Sequence, residues 1–184
     1  MPETVSYEYL EGVFFGDTYT EENMSTLDFV LYELKQLEDA DMVYSQSYCM
    51  MLWTGIDLMS RFYSGQLLNQ KSFKRIKSFL FEFFPIPKER LRAFIQFRNS
   101  CIHSVGYYAY DDLTKSESRF YLSSIFDQVI EKDEFGKKLV NPIEFKKGFV
   151  QAVSSYRDAL KKDPELQAKF VKVYRKLGYI NYEK

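Results

Sequence analysis

The chain has 184 residues, of which 46% are hydrophobic, 18% aromatic and 28% charged, with a formal net charge of −1. Such a composition can offset chain entropy by burial, which excludes a disordered protein, and the length suits one domain. Two cysteines without a CxxC pair, Cys49 and Cys101, exclude a disulfide scaffold, and a lone histidine, His103, excludes a metal site or proton relay built from several histidines of one chain.

Met1-Pro2-Glu3-Thr4 lacks the positive start of a secretory leader, and no apolar run approaches the ~20 residues that span a bilayer. A cytoplasmic protein with no membrane association is expected. Charge is unevenly spread. Residues 1–60 carry twelve acidic side chains against Lys35, whereas residues 61–103 carry nine basic ones against Glu82 and Glu89. A basic block in a near-neutral chain marks either a polyanion-binding face or an internal match for the acidic first third.

In chain order, residues 1–23 show no sustained period and predict an irregular N-terminal arm. A cap at Ser25 or Thr26 opens a first helix through Leu27, Val30, Leu31, Leu34 and Leu37. The second runs from about Asp41 to Gly65, and the third from Ser72 through Ile76, Phe79 and Phe83 until Pro85 and Pro87 end it. A fourth follows Pro87 and carries Leu91, Phe94, Ile95, Arg98 and Ile102 towards Gly106. Short aromatic and β-branched runs over 107–141, separated by turn residues, predict a small β-hairpin excursion. Helical period returns at Pro142 (Phe145, Phe149, Tyr156, Leu160) and again at Asp163-Pro164, ending near Gly178. The whole chain, 1–184, is therefore expected to form one mostly α domain: a bundle of six helices with the excursion between the fourth and fifth.

The eight glycines are scattered singly, so no phosphate loop or dinucleotide fingerprint can be drawn through them, and neither GxSxG nor HExxH occurs. No cofactor or metal is expected. One constellation remains, on the fourth helix. At about 100° per residue, Leu91, Phe94, Ile95, Arg98 and Ile102 share a stripe, placing an arginine among apolar residues. Such a charge needs an anionic partner or a wet cleft. Asn99 and His103, four apart, lie on the adjoining polar face, whereas Arg98 and His103, five apart, diverge by about 140°.

Arg98-Asn99-Ser100-Cys101-Ile102-His103 resembles the R-x4-6-H motif of the HEPN superfamily (higher eukaryotes and prokaryotes nucleotide-binding domains), in which a polar residue commonly follows the arginine. One branch has a Tyr two residues after the His, where this chain has Val105. The resemblance implies a compact helical bundle that works as a homodimer with two motifs facing across a cleft. Its implied activity is a metal-independent endoribonuclease, often a toxin held by an antitoxin or a defence factor, with Arg98, Asn99 and His103 as catalytic residues. Some members lack the motif and serve as binding modules, so a catalytically silent module for a protein or nucleotide is the alternative. The chemistry is coherent. An imidazole changes charge near neutral pH and suits a general base or acid. A guanidinium offers a fork of donors to phosphate oxygens, and Asn99 can orient the imidazole or hold a ribose or phosphate oxygen. One histidine cannot be acid and base at once, so a second copy or a water must supply the other. Arg98 paired with a carboxylate and His103 isolated would favour the silent module.

Lys71, Lys74, Arg75 and Lys77 could follow an RNA backbone but fit the solvated side of the third helix equally well. Asp57, four before Arg61, reads as half of a helix-surface pair. Tyr107, Tyr108 and Tyr110 read first as hairpin packing, and only second as base-stacking surfaces.

Overall fold

The structure is a computed structural model that describes residues 6–17, 23–67, 72–104, 106–111 and 115–181. Among them are seven helices: α1 Tyr7–Phe14, α2 Thr26–Asp39, α3 Gln46–Ser64, α4 Ser72–Phe83, α5 Lys88–His103, α6 Pro142–Leu160 and α7 Pro164–Leu177. Six strands accompany them: β1 Asn23–Ser25, β2 Tyr108–Asp111, β3 Ser116–Leu122, β4 Ile130–Lys132, β5 Lys138–Val140 and β6 Tyr179–Asn181. The chain is mostly α, as its periodicity implies. None of the described helices is long and apolar enough to cross a membrane.

Local chemistry explains the helix limits. Ser25 Oγ accepts the Asp28 N–H at 3.0 Å, and Asn141 Oδ1 accepts those of Ile143 and Glu144. Asp163 Oδ1 does the same for Glu165 and Leu166. Each cap satisfies first-turn donors that have no intrahelical partner. The second predicted helix starts later than expected, because Ser45 rather than Asp41 provides its cap, through the Tyr48 N–H at 3.1 Å.

α3 lies at the centre and packs against α2, α4, α5, α6 and α7. Trp53 meets Phe94 of α5 at 4.6 Å between ring centres and Phe145 of α6 at 5.2 Å. At its other end Phe62 meets Phe14 and Phe170. The approach to α6 is close enough that a Cβ on Gly55 would lie 2.5 Å from Phe149 Cζ. A polar tie runs beside this core. Glu38 accepts Tyr48 Oη at 2.6 Å and Lys146 Nζ at 2.6 and 2.7 Å, joining α2, α3 and α6.

Two readings of the sequence need correction. The irregular arm proposed for 1–23 is helical over Tyr7–Phe14: Ser6 caps it, and Leu10, Val13 and Phe14 are buried. Phe14 supplies the reason, with ring contacts to Phe62, Phe170 and Tyr174 that anchor a helix too short to persist alone. The excursion over 107–141 is more than a hairpin. Its described strands form a four-stranded sheet in the order β2-β3-β5-β4, with β3 and β5 parallel (Phe120 opposite Lys138) and the other pairs antiparallel. A second, two-stranded ribbon pairs β1 with β6, Ser25 opposite Tyr179.

Two measurements check this packing. Helix propensity alone would make Gly55→Ala stabilising by about 1 kcal/mol. Phe149, fully buried, has nowhere to move, so the substitution should lower stability by about 1–3 kcal/mol. A raised urea midpoint would show that the ring yields instead. For Glu38, burial pushes the carboxyl up, but hydrogen bonds from Lys146 and Tyr48 outweigh it and hold the group below its ordinary 4.5. A depressed folded value means stabilisation that is present above the unfolded value and lost as pH falls through the folded one. Glu38→Gln should therefore be less stable than wild type at neutral pH and decline less steeply below about pH 4.5, as read by thermal melts across the acid range.

Candidate functional site

α5 positions all three residues singled out by the sequence. Its buried residues are Leu91, Phe94, Ile95, Phe97, Ser100 and Cys101, so the apolar stripe follows Phe94, Phe97 and Cys101. Ile102, expected on the stripe, is exposed. Phe97 turns the stripe, because its ring packs on Tyr107 at 5.7 Å and Phe120 at 5.4 Å beneath the sheet. Arg98 stands at the edge of the buried face and is half-buried.

Among the described residues Arg98 makes one hydrogen bond, from Nη1 to Asn99 Oδ1 at 3.3 Å. Its Nε is buried without a partner, and among the described residues it makes no ion pair. Burial pushes its guanidinium below arginine's ordinary value, with the Asp57 carboxylate opposing and Arg75 reinforcing the shift. Asp57 is already engaged by others. It accepts Arg61 Nε at 2.9 Å and Arg75 Nη2 at 2.6 Å, while Arg75 Nε donates to Ser60 Oγ at 3.0 Å. One carboxylate thus faces arginines of α3, α4 and α5, and only the third has a buried donor left over.

His103 is the last residue of α5 and is exposed. Among the described residues it makes no hydrogen bond or ion pair. The helix remains regular to its end, so within one chain Arg98 and His103 point about 140° apart. The structure therefore brings Arg98 and Asn99 together and does not bring His103 to them. Helix α5 stops at His103 because Ser104 turns extended (φ −142°), ahead of left-handed Gly106 and Tyr107. Gln46 Nε2 secures that end by donating to the carbonyls of Cys101 at 2.7 Å and Ser104 at 3.0 Å.

Cys101 lies inside the motif but is buried beside Cys49. Burial first, and then that neighbour, push its thiol up, and burial raises Cys49 to about 12, so neither offers a thiolate at neutral pH. Among the described residues no group of three His, Cys, Asp or Glu could hold a metal ion. Arg75, read as solvated, is buried. It precedes Phe79 by four positions and so falls on the apolar face of α4, a relation that wheel arithmetic alone could have revealed. Lys71, Val105 and Asp112 lie outside the described residues. No protein-family model, curated protein or solved structure matches this chain.

Asp57 and His103 should separate under mutation. Asp57→Ala takes the carboxylate from a buried Arg75 and should cost about 3 kcal/mol. The exposed, partnerless His103 predicts a change within about 0.5 kcal/mol for His103→Ala. Urea denaturation measures both, and an equal loss would make His103 part of the framework.

Proposed function

We propose that the chain is a HEPN-type, metal-independent endoribonuclease that acts on RNA as a homodimer in the cytoplasm, in a toxin–antitoxin or defence role. The observation that carries the reading is Arg98: a half-buried guanidinium with a buried, partnerless Nε, beside Asn99, with an exposed His103 five residues on at the end of the same helix. A donor left without an acceptor in this way is costly until an anion arrives. A phosphodiester is the anion that a neighbouring histidine can also act upon.

In the reaction, a base takes the proton of a ribose 2′-OH and O2′ bonds to phosphorus. The P–O5′ bond breaks, and an acid protonates the departing O5′. Products are a 2′,3′-cyclic phosphate and a 5′-OH. Arg98 neutralises the charge that gathers on the phosphorane oxygens, Asn99 orients a ribose or phosphate oxygen, and His103 moves one proton. The angular divergence of Arg98 and His103 suits a cleft shared by two copies, where one chain's His103 meets the other's Arg98 and each histidine takes a single role.

The second reading, a silent module with Arg98 as a framework cation, is favoured by the Asp57 carboxylate acting on Arg98. A cleavage assay separates the two. Wild type should cut mixed RNA in excess EDTA, leaving cyclic phosphate ends, and His103→Ala and Arg98→Ala should each abolish cutting while helical circular dichroism is retained. No cutting by wild type at high protein concentration would favour the module, and equal cutting by all three proteins would expose a contaminating nuclease.

A further inference from the structure

The outer face of the four-stranded sheet carries chemistry that the α5 motif does not use. Alternation along the strands buries Ala109, Ser118 and Phe120 against α5 and turns Tyr110, Arg119 and Tyr121 to solvent. Tyr110 is 51% and Tyr121 45% exposed, and Phe135, on the turn between β4 and β5, is 78% exposed. That turn is stiff. Asp133 Oδ1 accepts the N–H groups of Phe135 at 3.0 Å and Lys137 at 2.7 Å, and left-handed Gly136 donates to the Asp133 carbonyl at 3.0 Å. The backbone that carries this large exposed ring is thus well tied, and burial of the ring against a partner would be favourable.

The Lys137 ammonium sits 5.8 Å from the Tyr121 ring centre and 6.0 Å from that of Phe135. Beside these groups lies a cleft of about 210 Å³ lined by Glu117, Arg119, Tyr121, Phe135 and Lys137, among others. Neither Arg119 nor Lys137 makes an ion pair among the described residues. Glu117 in the lining faces the Tyr108 hydroxyl, whose pKa shifts upward beside it. Two aromatic faces and two cations that make no ion pair among the described residues therefore converge on one slot, with the single Glu117 carboxylate at its edge.

We propose that this cleft binds an unpaired nucleotide of single-stranded RNA, the base stacked on Tyr121 and Phe135 and its phosphate held by Arg119 and Lys137. The choice of RNA as the polymer rests on the endoribonuclease reading above. The form of the ligand rests on the cleft: every base offers a π-face to a ring when unpaired, and a duplex hides those faces. The cleft is also tied to the end of α5. Arg119 pairs with Tyr108 across β2 and β3. Ser104, the residue after His103, accepts the Tyr108 N–H at 3.1 Å and has its Oγ 2.6 Å from the Tyr108 carbonyl. A strand anchored on the sheet is thereby fixed relative to the histidine.

The test is fluorescence anisotropy in EDTA with a labelled single-stranded RNA of about ten nucleotides, a length that one such platform covers. The parent is the full chain carrying His103→Ala, so that nothing is cut. Tyr121→Ala with Phe135→Ala should weaken binding about tenfold or more. Arg119→Ala with Lys137→Ala should weaken it and flatten its salt dependence. Ile125→Ala, at an 84% exposed site away from the cleft, should match the parent and control for surface change. The same sequence as a duplex should bind more weakly and not respond to the ring substitutions. Equal RNA binding by the parent and both double variants overturns the proposal and leaves the exposed rings to a different partner. No RNA binding by the parent overturns it as well. Cleavage by the chain with His103 intact is scored separately: binding through the cleft without cutting retains the site and removes the endoribonuclease reading, whereas cutting that ignores the cleft does the reverse.

Discussion

One carboxylate governs how three helices meet. Asp57 of α3 holds Arg61 on its own helix and Arg75 of α4, and its charge reaches Arg98 of α5. Asp57 thus sits among three arginines in a partly desolvated place. Arg75 and Arg61 take the direct bonds, so the deficit falls on Arg98, whose Nε ends without an acceptor. Coulomb attraction at this depth is stronger than at an open surface but not strong enough to satisfy a guanidinium without contact. The same arrangement that fixes the helix packing therefore leaves one arginine with a buried donor unfilled.

The α2 and α4–α7 helices were legible because their apolar residues recur at helical spacing, with Ser25, Asn141 and Asp163 capping α2, α6 and α7 and prolines marking the limits of α4 and α5. α1 was not, since eight residues give too few turns for a period to emerge and its stability comes from where Phe14 docks. The parallel pairing of β3 with β5 was equally hidden: it joins strands that are not neighbours in sequence, and no local turn announces it. Arg98, Asn99 and His103 stood out as residue types at a spacing. Their relation did not, because the stripe follows Phe97 rather than Ile102 once the sheet covers that side of α5. Asp57 showed its i,i+4 partner Arg61 but concealed Arg75, which reaches it from another helix.

The sheet inserted between α5 and α6 does more than cover Phe97. Its first strand starts immediately after Gly106 and Tyr107, both in the left-handed region, where the chain reverses out of the helix. A non-glycine residue held there, as Tyr107 is, reflects tertiary context: its ring lies against Phe97. The corner keeps the end of α5 exposed while everything around it is pinned by Gln46 and Ser104.

The β1–β6 ribbon is small, yet it closes a circuit that spans most of the chain. Thr26 Oγ1 donates to the carbonyl of Leu177, 151 positions away, at 2.7 Å, and the strands on either side pair over three residues. A contact of that span gains enthalpy only after the intervening chain has been ordered, so it is among the last to repay its closure entropy. During synthesis the contacts of Phe14 with Phe170 and of Thr26 with Leu177 must wait until α7 has emerged, whereas α3 can meet Phe14 and α2 earlier. The first helices thus pack in two stages, against α3 and then against α7.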